Sequence, residues 1–312
     1  MKSYILRRFI SLVPVLFLLS LITFGLLCIT PGDPAEMALS RSGIDPTREA
    51  VEAMKVELGL DKPLCLQYIH WFGKALHGNL GISYRTGEPV TQEILCRLPA
   101  TMELSLAAII FIFIVAFPAG VFSAIYRDRL VDNASRIAAL MGVSLPGFWL
   151  GLILIYLFSM KMEIFPVIGR GGINHLILPA ITLGSGMAAI YSRFIRASMI
   201  EALSQDYIQA AYARGIRSWR VITRHALKNA LLPIITLFGM SFGNLLGGAV
   251  IVETVFAWPG VGKLVVDSIF ERDFPVIQGF VLFMGLIYIL TNLLVDITYT
   301  WIDPRVRLKR DR

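Results

Sequence analysis

The sequence predicts an all-α, polytopic membrane protein with about six transmembrane helices. The first sign is six stretches without Asp, Glu, Lys or Arg, each at least 22 residues long: Phe9–Gly32, Leu104–Tyr126, Ile137–Met160, Gly171–Ser192, Asn229–Val252 and Phe274–Val295. A helix of ~20 apolar residues crosses the ~30 Å hydrocarbon core of a bilayer. The second is composition: 56% of the 312 residues are hydrophobic and the mean hydropathy is +0.68, more than a soluble helical bundle needs. The third is where the charges fall. A net charge of +7 in a soluble protein would suggest nucleic acid. Here the cations collect in alternate connections, as they do beside membrane spans.

Lys2, Arg7 and Arg8 precede the first stretch, and Arg127, Arg129 and Arg136 lie between the second and third. Arg193, Arg196, Arg214, Arg217, Arg220, Arg224 and Lys228 lie between the fourth and fifth, and Arg305, Arg307, Lys309, Arg310 and Arg312 follow the last. With six spans these regions share one side, and the positive-inside bias makes that side the cytoplasm. Both termini are therefore expected inside. Phe9–Gly32 is longer than a signal-peptide apolar core and lacks a clear cleavage site, so it reads as a retained first helix.

By composition the chain divides into residues 1–30, the tail and first helix; 31–99, an external segment with short helices; and 100–312, a five-helix membrane core. In the external segment Pro31-Gly32-Asp33-Pro34 stops the first helix. Asp45 and Pro46 offer an N-cap and first position for a helix carrying Val51, Met54 and Leu58, with Gly59 to close it. A second helix is expected over Leu64–Leu76, with Leu64, Tyr68, Trp71, Phe72 and Ala75 on one side. These suit packing on the outer ends of spans or lying at the interface. Gly78 to Gly87 reads as loop. Cys65 and Cys96 share the segment, where a bridge and two free thiols are both open.

Within the spans, Pro118 lies in the second, Pro146 and Gly147 interrupt the third, and Pro179 lies in the fourth. Such breaks are tolerated where neighbours satisfy the freed carbonyls. Gly184, Gly186, Gly239, Gly243, Gly247 and Gly248 suit close helix packing or a gating interface.

Catalytic chemistry is not expected. Trp258 to Lys263 only superficially resembles a phosphate loop, because the first Gly is misplaced and Leu264 stands where a hydroxyl residue belongs. His70, His77, His175 and His225 are dispersed, so no metal site is expected. No span carries an acidic residue for a proton relay, Asp296 near the end of the last being the nearest exception. Uphill transport would then draw its energy from a partner.

The connector 196–228 is the most informative soluble-facing piece. Met199, Leu203, Tyr207, Ala210 and Ala211 mark a helix face, and Gly215 interrupts it. Ile216, Trp219, Val221 and Ile222 then alternate with Arg217, Arg220 and Arg224. Two short helices broken by Gly suit docking to a cytoplasmic protein or to the inner membrane surface.

This connector resembles the coupling-loop motif of bacterial ABC importer permeases: Glu-Ala-Ala, three residues, Gly, nine residues, Ile-x-Leu-Pro. Here it falls on Gln209-Ala210-Ala211, Gly215 and His225-Ala226-Leu227-Lys228. Gln209, His225 and Lys228 depart from the motif in the manner of the dipeptide, oligopeptide and nickel branch, as do Asp206-Tyr207 and His225–Ala230. The resemblance extends through Arg7-Arg8, Pro31–Pro34, Leu58–Asp61, Arg97–Thr101, Ser144–Pro146, His175–Pro179, Glu253 with Trp258-Pro259-Gly260, Arg272–Val276 and Asp303–Arg305.

The resemblance implies the type I permease fold, in a multi-pass protein of the bacterial inner (plasma) membrane. It implies the first permease subunit of an ATP-driven importer for di- or oligopeptides or glutathione, or alternatively for nickel, free or chelated. Its partners would be a second homologous permease, two cytoplasmic ATPase subunits and a periplasmic or lipid-anchored binding protein. ATP and Mg would sit in the ATPases, with no cofactor, catalytic residue or metal site in this chain. ATPase docking would fall on Gln209, Ala210, Ala211, Gly215, Ile216, Trp219 and His225. An external rim of Glu253, Trp258, Pro259, Gly260 and Asp273 would either pack as scaffold or touch the binding protein. A different class, a membrane scaffold or signalling protein docking a cytoplasmic partner, would use the same connector.

Overall fold

The computed structural model describes residues 2–29, 33–41 and 47–302. Pro31, Gly32, Asp45, Pro46 and Asp303 to Arg312 lie outside the described residues, as do the side chains of Lys2, Arg7, Arg8 and Asp296. Among the described residues regular structure is helical throughout, apart from one bridge pairing Ile82 with Pro89. The chain falls into two compact units, Met1–Pro99 with Gly260–Leu290 and Ala100–Pro259 with Thr291–Arg312.

In the first unit, α1 runs over Lys2–Ile29. The chain then forms α2, Pro34–Arg41, where a turn alone was expected. Asp33 explains it: its carboxylate accepts from the Ala35 N–H at 3.0 Å, and Pro34 takes the first helical position. Asp33 also meets Lys55 at 2.6 Å. Burial raises the Asp33 pKa, but the hydrogen bonds from Lys55 and Ala35 outweigh it and hold the carboxyl below its usual range.

The next helix, α3, covers Arg48–Leu58. Its cap is Thr47, not Asp45, with Oγ1 accepting from the Ala50 N–H at 3.3 Å. Gly59 closes it at φ 70° as expected. Helix α4 covers Leu64–Leu76 and packs on α1 through a ring cluster. Phe17 and Phe24 lie 6.2 and 5.5 Å from Tyr68, while Ser20 Oγ and Tyr68 OH hydrogen-bond at 2.7 Å. Leu64 stands exposed, so that end of the expected face is not used. Cys28, Cys65 and Cys96 are free and exposed.

Helix α5, Val90–Ile125, has 36 residues and runs through Pro99 and Pro118. At 1.5 Å per residue it is ~54 Å long, longer than a bilayer core is thick. The stretch expected as one third span is two helices: α6, Leu130–Ser144, and α7, Gly147–Leu154, which continues as a π-helical segment Ile155–Lys161. The two parts are bent by 104°. Pro146 has no N–H and bars its predecessor from helical geometry, and Leu145 is extended at φ −82°, ψ 126°.

Helix α8, Ile173–Leu203, tolerates Pro179 in its interior. The connector follows as α9, Asp206–Ala213, then α10, Ser218–Arg220, and a π-helical segment Val221–Ala226. The remaining helices are α11, Leu227–Val255; α12, Val261–Phe270; and α13, Phe274–Ile302.

Among the described residues, α5, α8 and Phe274–Leu294 are long and apolar enough to cross a membrane, and the bent pair is a fourth candidate. Val13–Leu26 of α1 and Leu245–Val255 of α11 are shorter apolar lengths. The core of the second unit joins Leu104, Ala108 and Ile112 of α5 to Leu178, Ile195 and Met199 of α8 and Leu245 of α11. Gly184 is where α5 and α8 touch: a Cβ there would stand 2.8 Å from Phe111 Cδ1 and 3.0 Å from the Ala108 carbonyl oxygen.

Candidate functional site

The connector is built by local chemistry and then locked by packing. Helix α8 ends at Leu203, and the Ser204 N–H turns back to the Ile200 and Glu201 carbonyls. The face drawn from Met199 to Ala211 is therefore split by a helix break. Its buried members are Met199, Ala202, Ile208 and Ala211, whereas Tyr207 and Ala210 are exposed. After α9 the Gly215 N–H bonds to the Tyr212 carbonyl at 2.9 Å and the Ile216 N–H to the Ala211 carbonyl at 3.3 Å. This is the Schellman closure, with Gly215 left-handed at φ 73°. A Cβ on Gly215 would meet nothing within 4 Å, so the dihedral alone asks for glycine.

Ile208, Ala211, Val221 and Ala226 belong to the same hydrophobic cluster as the buried faces of α5 and α8. Burying one such side chain as large as Ile208 stabilises by roughly 1.5–3 kcal/mol. Asn229 Nδ2 donates to Tyr207 OH at 2.8 Å, tying α9 to the start of α11. The connector is thus a packed extension of the second unit. Of the expected docking residues, Gln209, Ala210, Gly215 and Trp219 are exposed, Ile216 and His225 are half-buried, and Ala211 lies underneath.

A feature that the sequence did not announce sits behind it. Asp132 of α6 is fully buried and takes two hydrogen bonds from Arg196 of α8, from Nε and one terminal nitrogen, both at 2.7 Å. Ser123 Oγ donates to the same carboxylate at 2.6 Å and the Asp128 N–H at 2.9 Å. This planar pair fixes the C-terminal part of α8 to the start of the bent helix pair. Its members are 64 residues apart, and nothing in their local sequence marks them as partners.

The turn after α11 repeats the Schellman closure with a different residue. The Ala257 N–H reaches the Thr254 carbonyl at 3.3 Å and the Trp258 N–H the Glu253 carbonyl at 2.8 Å, with Ala257 at φ 47°. Trp258 is fully buried and its Nε1 donates to the Ala100 carbonyl at 2.8 Å. Glu253, also fully buried, accepts from Thr101 Oγ1 at 2.6 Å. The Gly169 N–H donates to the Phe256 carbonyl at 2.9 Å, and Arg170 pairs with Glu103 at 2.6 Å.

In the first unit, taken by itself, α12 closes likewise on Arg272 at φ 55°. The next residue, Asp273, is fully buried and accepts from Ser83 Oγ at 2.5 Å and from the Tyr84 and Arg85 N–H groups at 3.1 and 3.2 Å. Burial, reinforced by the Asp273 carboxylate, pushes the Tyr84 phenol up to about 12.

The five residues expected at an external rim therefore divide. Glu253, Trp258, Gly260 and Asp273 are buried and shape their turns from within, while Pro259 is exposed. Polar groups buried away from water must find internal partners, and Glu253 finds one in Thr101 while Asp273 finds them in Ser83, Tyr84 and Arg85. Among the described residues no three His, Cys, Asp or Glu side chains are grouped to hold a metal ion.

Comparison with known proteins accords with this architecture. Residues 116–308 match the family described as binding-protein-dependent transport system inner membrane component, and residues 1–107 match its N-terminal counterpart. The glutathione transport system permease protein GsiC of Escherichia coli K12 is 40% identical over 309 residues, spanning 99% of this chain and 100% of that one. Its namesake in Shigella boydii serotype 4 is 39% identical over the same length. Among solved structures, an inward-facing MetNI methionine ABC transporter shares the fold with a TM-score of 0.58 at 17% identity, covering 67% of this chain and 96% of that one. The chain belongs to the binding-protein-dependent transport system inner membrane components: it is a multi-pass, non-catalytic permease subunit of an ABC importer in the inner membrane.

Proposed function

We propose that this permease carries short peptides of the glutathione class, as one half of a pathway completed by a second, homologous permease. The observation that supports this reading is the 40% identity to a glutathione transport permease over the full length of both chains. Six spans with both termini in the cytoplasm fit the alternate placement of its cations. Two ATPase subunits, holding ATP and Mg, would bind the connector, and a binding protein would deliver substrate at the opposite face.

The exposed surface around Gln209, Ala210 and the Gly215 turn is small and rigidly backed, which suits insertion into a cleft on an ATPase. Force applied there would pass along α8, and the Asp132–Arg196 pair would deliver it to the bent helices α6 and α7. Specificity would rest chiefly with the binding protein.

Calorimetry on the cognate binding protein tests the substrate. Glutathione or dipeptides should bind and nickel, with or without histidine, should not. Submicromolar nickel binding without any peptide response would replace this reading by the nickel one.

A further inference from the structure

We propose that the connector beyond the Gly215 turn, Arg217 to Lys228, is a seat for anionic phospholipid headgroups of the inner leaflet, beside an ATPase footprint on α9 and that turn. The proposal rests on the cytoplasmic placement of the connector given above.

Charge divides the connector sharply. Residues 199–213 hold Glu201 and Asp206 and no Lys or Arg, whereas residues 214–228 hold Arg214, Arg217, Arg220, Arg224 and Lys228 and no acid. All five cations are exposed. Among the described residues none of the five takes part in an ion pair. Five cations within fifteen residues call for anions from outside the chain.

Position decides which anions. The charge-free run Asn229–Val252 begins at the residue after Lys228. A span of that kind starts at the hydrocarbon boundary. Arg224 is four residues before Lys228, ~6 Å along a helix. The basic end of the connector therefore lies at headgroup depth, where phosphates are dense, and α9 is the part farther along the chain from this span. Trp219 supports the assignment. Its side chain is 68% exposed, between Arg217 and Arg220, on backbone anchored by the fully buried Val221 and Ala226. An indole held outward among arginines is the side-chain combination favoured at a membrane interface.

The test uses the whole importer in nanodiscs of phosphatidylcholine, with or without phosphatidylglycerol. Cys28, Cys65 and Cys96 are changed to Ser, and Trp219→Cys carries a bimane fluorophore. Headgroup-nitroxide lipids should quench it, more strongly when phosphatidylglycerol is present. Each cation near an anionic surface strengthens contact roughly fivefold. Changing Arg217, Arg220 and Arg224 together to Gln should therefore abolish the part of the quenching that depends on phosphatidylglycerol, with the ATPases still co-purifying. A label that headgroup nitroxides never reach overturns the proposal. So does a triple variant that sheds the ATPases while quenching is unchanged, because the segment would then belong to the ATPase. Ala210→Trp separately tests docking on α9: retained ATPases would remove that reading, while the quenching result still decides the lipid seat.

Discussion

Helices α9 and α11 end in the same backbone motif, one in the connector at Gly215 and the other at Ala257. Both place a residue in the left-handed region, at φ 73° and 47°, and both bond the following N–H back to the final turn. At Gly215 the turn is exposed, has open space around it and uses the residue that adopts this geometry without strain. At Ala257 a side chain sits where L residues are disfavoured by ~1–2 kcal/mol. The next residue there is a fully buried tryptophan with its N–H bonded to Ala100. One turn is thus made by its own sequence and the other is imposed by tertiary packing. The Gly215 turn therefore needs no neighbour to hold its dihedral, whereas the Ala257 turn borrows stability from the core.

The largest effect should follow from removing the anchor. Trp258→Ala leaves a cavity the size of an indole and should lower the stability of the second unit by about 3–5 kcal/mol. Thermal unfolding of the detergent-solubilised importer measures it. Trp258→Phe keeps most of the packing and loses only the indole's hydrogen bond to Ala100, whose carbonyl lies within α5 and keeps its helical partner, at a cost of about 1 kcal/mol. If Trp258→Ala proves no worse than a substitution at Gly215, packing does not hold the Ala257 turn.

Next comes the pair that links the connector to the bent helices. Asp132→Ala strands Arg196, and Arg196→Ala leaves a carboxylate buried without its cation. Each should cost about 3–5 kcal/mol. The double variant, Asp132→Ala with Arg196→Ala, should cost clearly less than the two single changes added together. Additive losses would show that the two side chains act separately. Among variants that still assemble, ATP hydrolysed per substrate moved should rise, because docking persists while transmission weakens.

What the sequence disclosed follows the same division. Gly59 and Gly215 were legible as helix ends because a glycine after an apolar periodic run carries its own conformational preference. The α4 boundaries, Leu64–Leu76, were legible from the helical spacing of Tyr68, Trp71, Phe72 and Ala75. Pro146 announced a break in the third stretch, but the 104° bend depends on how α6 and α7 pack and has no local signature. Asp33 capping α2 used the chemistry assigned to Asp45, one motif earlier in the chain. The Asp132–Arg196 pair and the burial of Glu253, Trp258 and Asp273 could not be read locally, because each depends on a residue far away in sequence. Charged and aromatic residues near a span end read as surface until their partners are known.

A smaller effect on folding, with a larger one on function, is expected at the exposed turn. A Cβ added at the exposed Gly215 meets nothing within 4 Å, so the main cost of Gly215→Leu is the left-handed dihedral, ~1–2 kcal/mol. The subunit should insert normally while the ATPases co-purify poorly. Gly215→Asn, which tolerates this region better, should recover most of the association. Normal co-purification with Gly215→Leu would mean that the turn shapes no docking surface.

The smallest effect is expected at Ala257. Ala257→Gly relieves ~1–2 kcal/mol of left-handed strain but adds about 0.4–1 kcal/mol of freedom to the unfolded chain. The methyl group it removes is half-buried, which takes back a further part of the gain. The expected outcome is a stabilisation below ~1 kcal/mol, seen as a small rise in melting temperature. The same change made together with Trp258→Ala distinguishes two causes. If the buried indole forces Ala257 into its conformation, the turn can relax once the indole is gone, and Ala257→Gly then gains nothing. If the hydrogen bonds of the helix end dictate the conformation, the gain is the same in both backgrounds. Equal gains would place the origin of this turn in α11 itself, and Ala257 would then differ from Gly215 in residue type but not in mechanism.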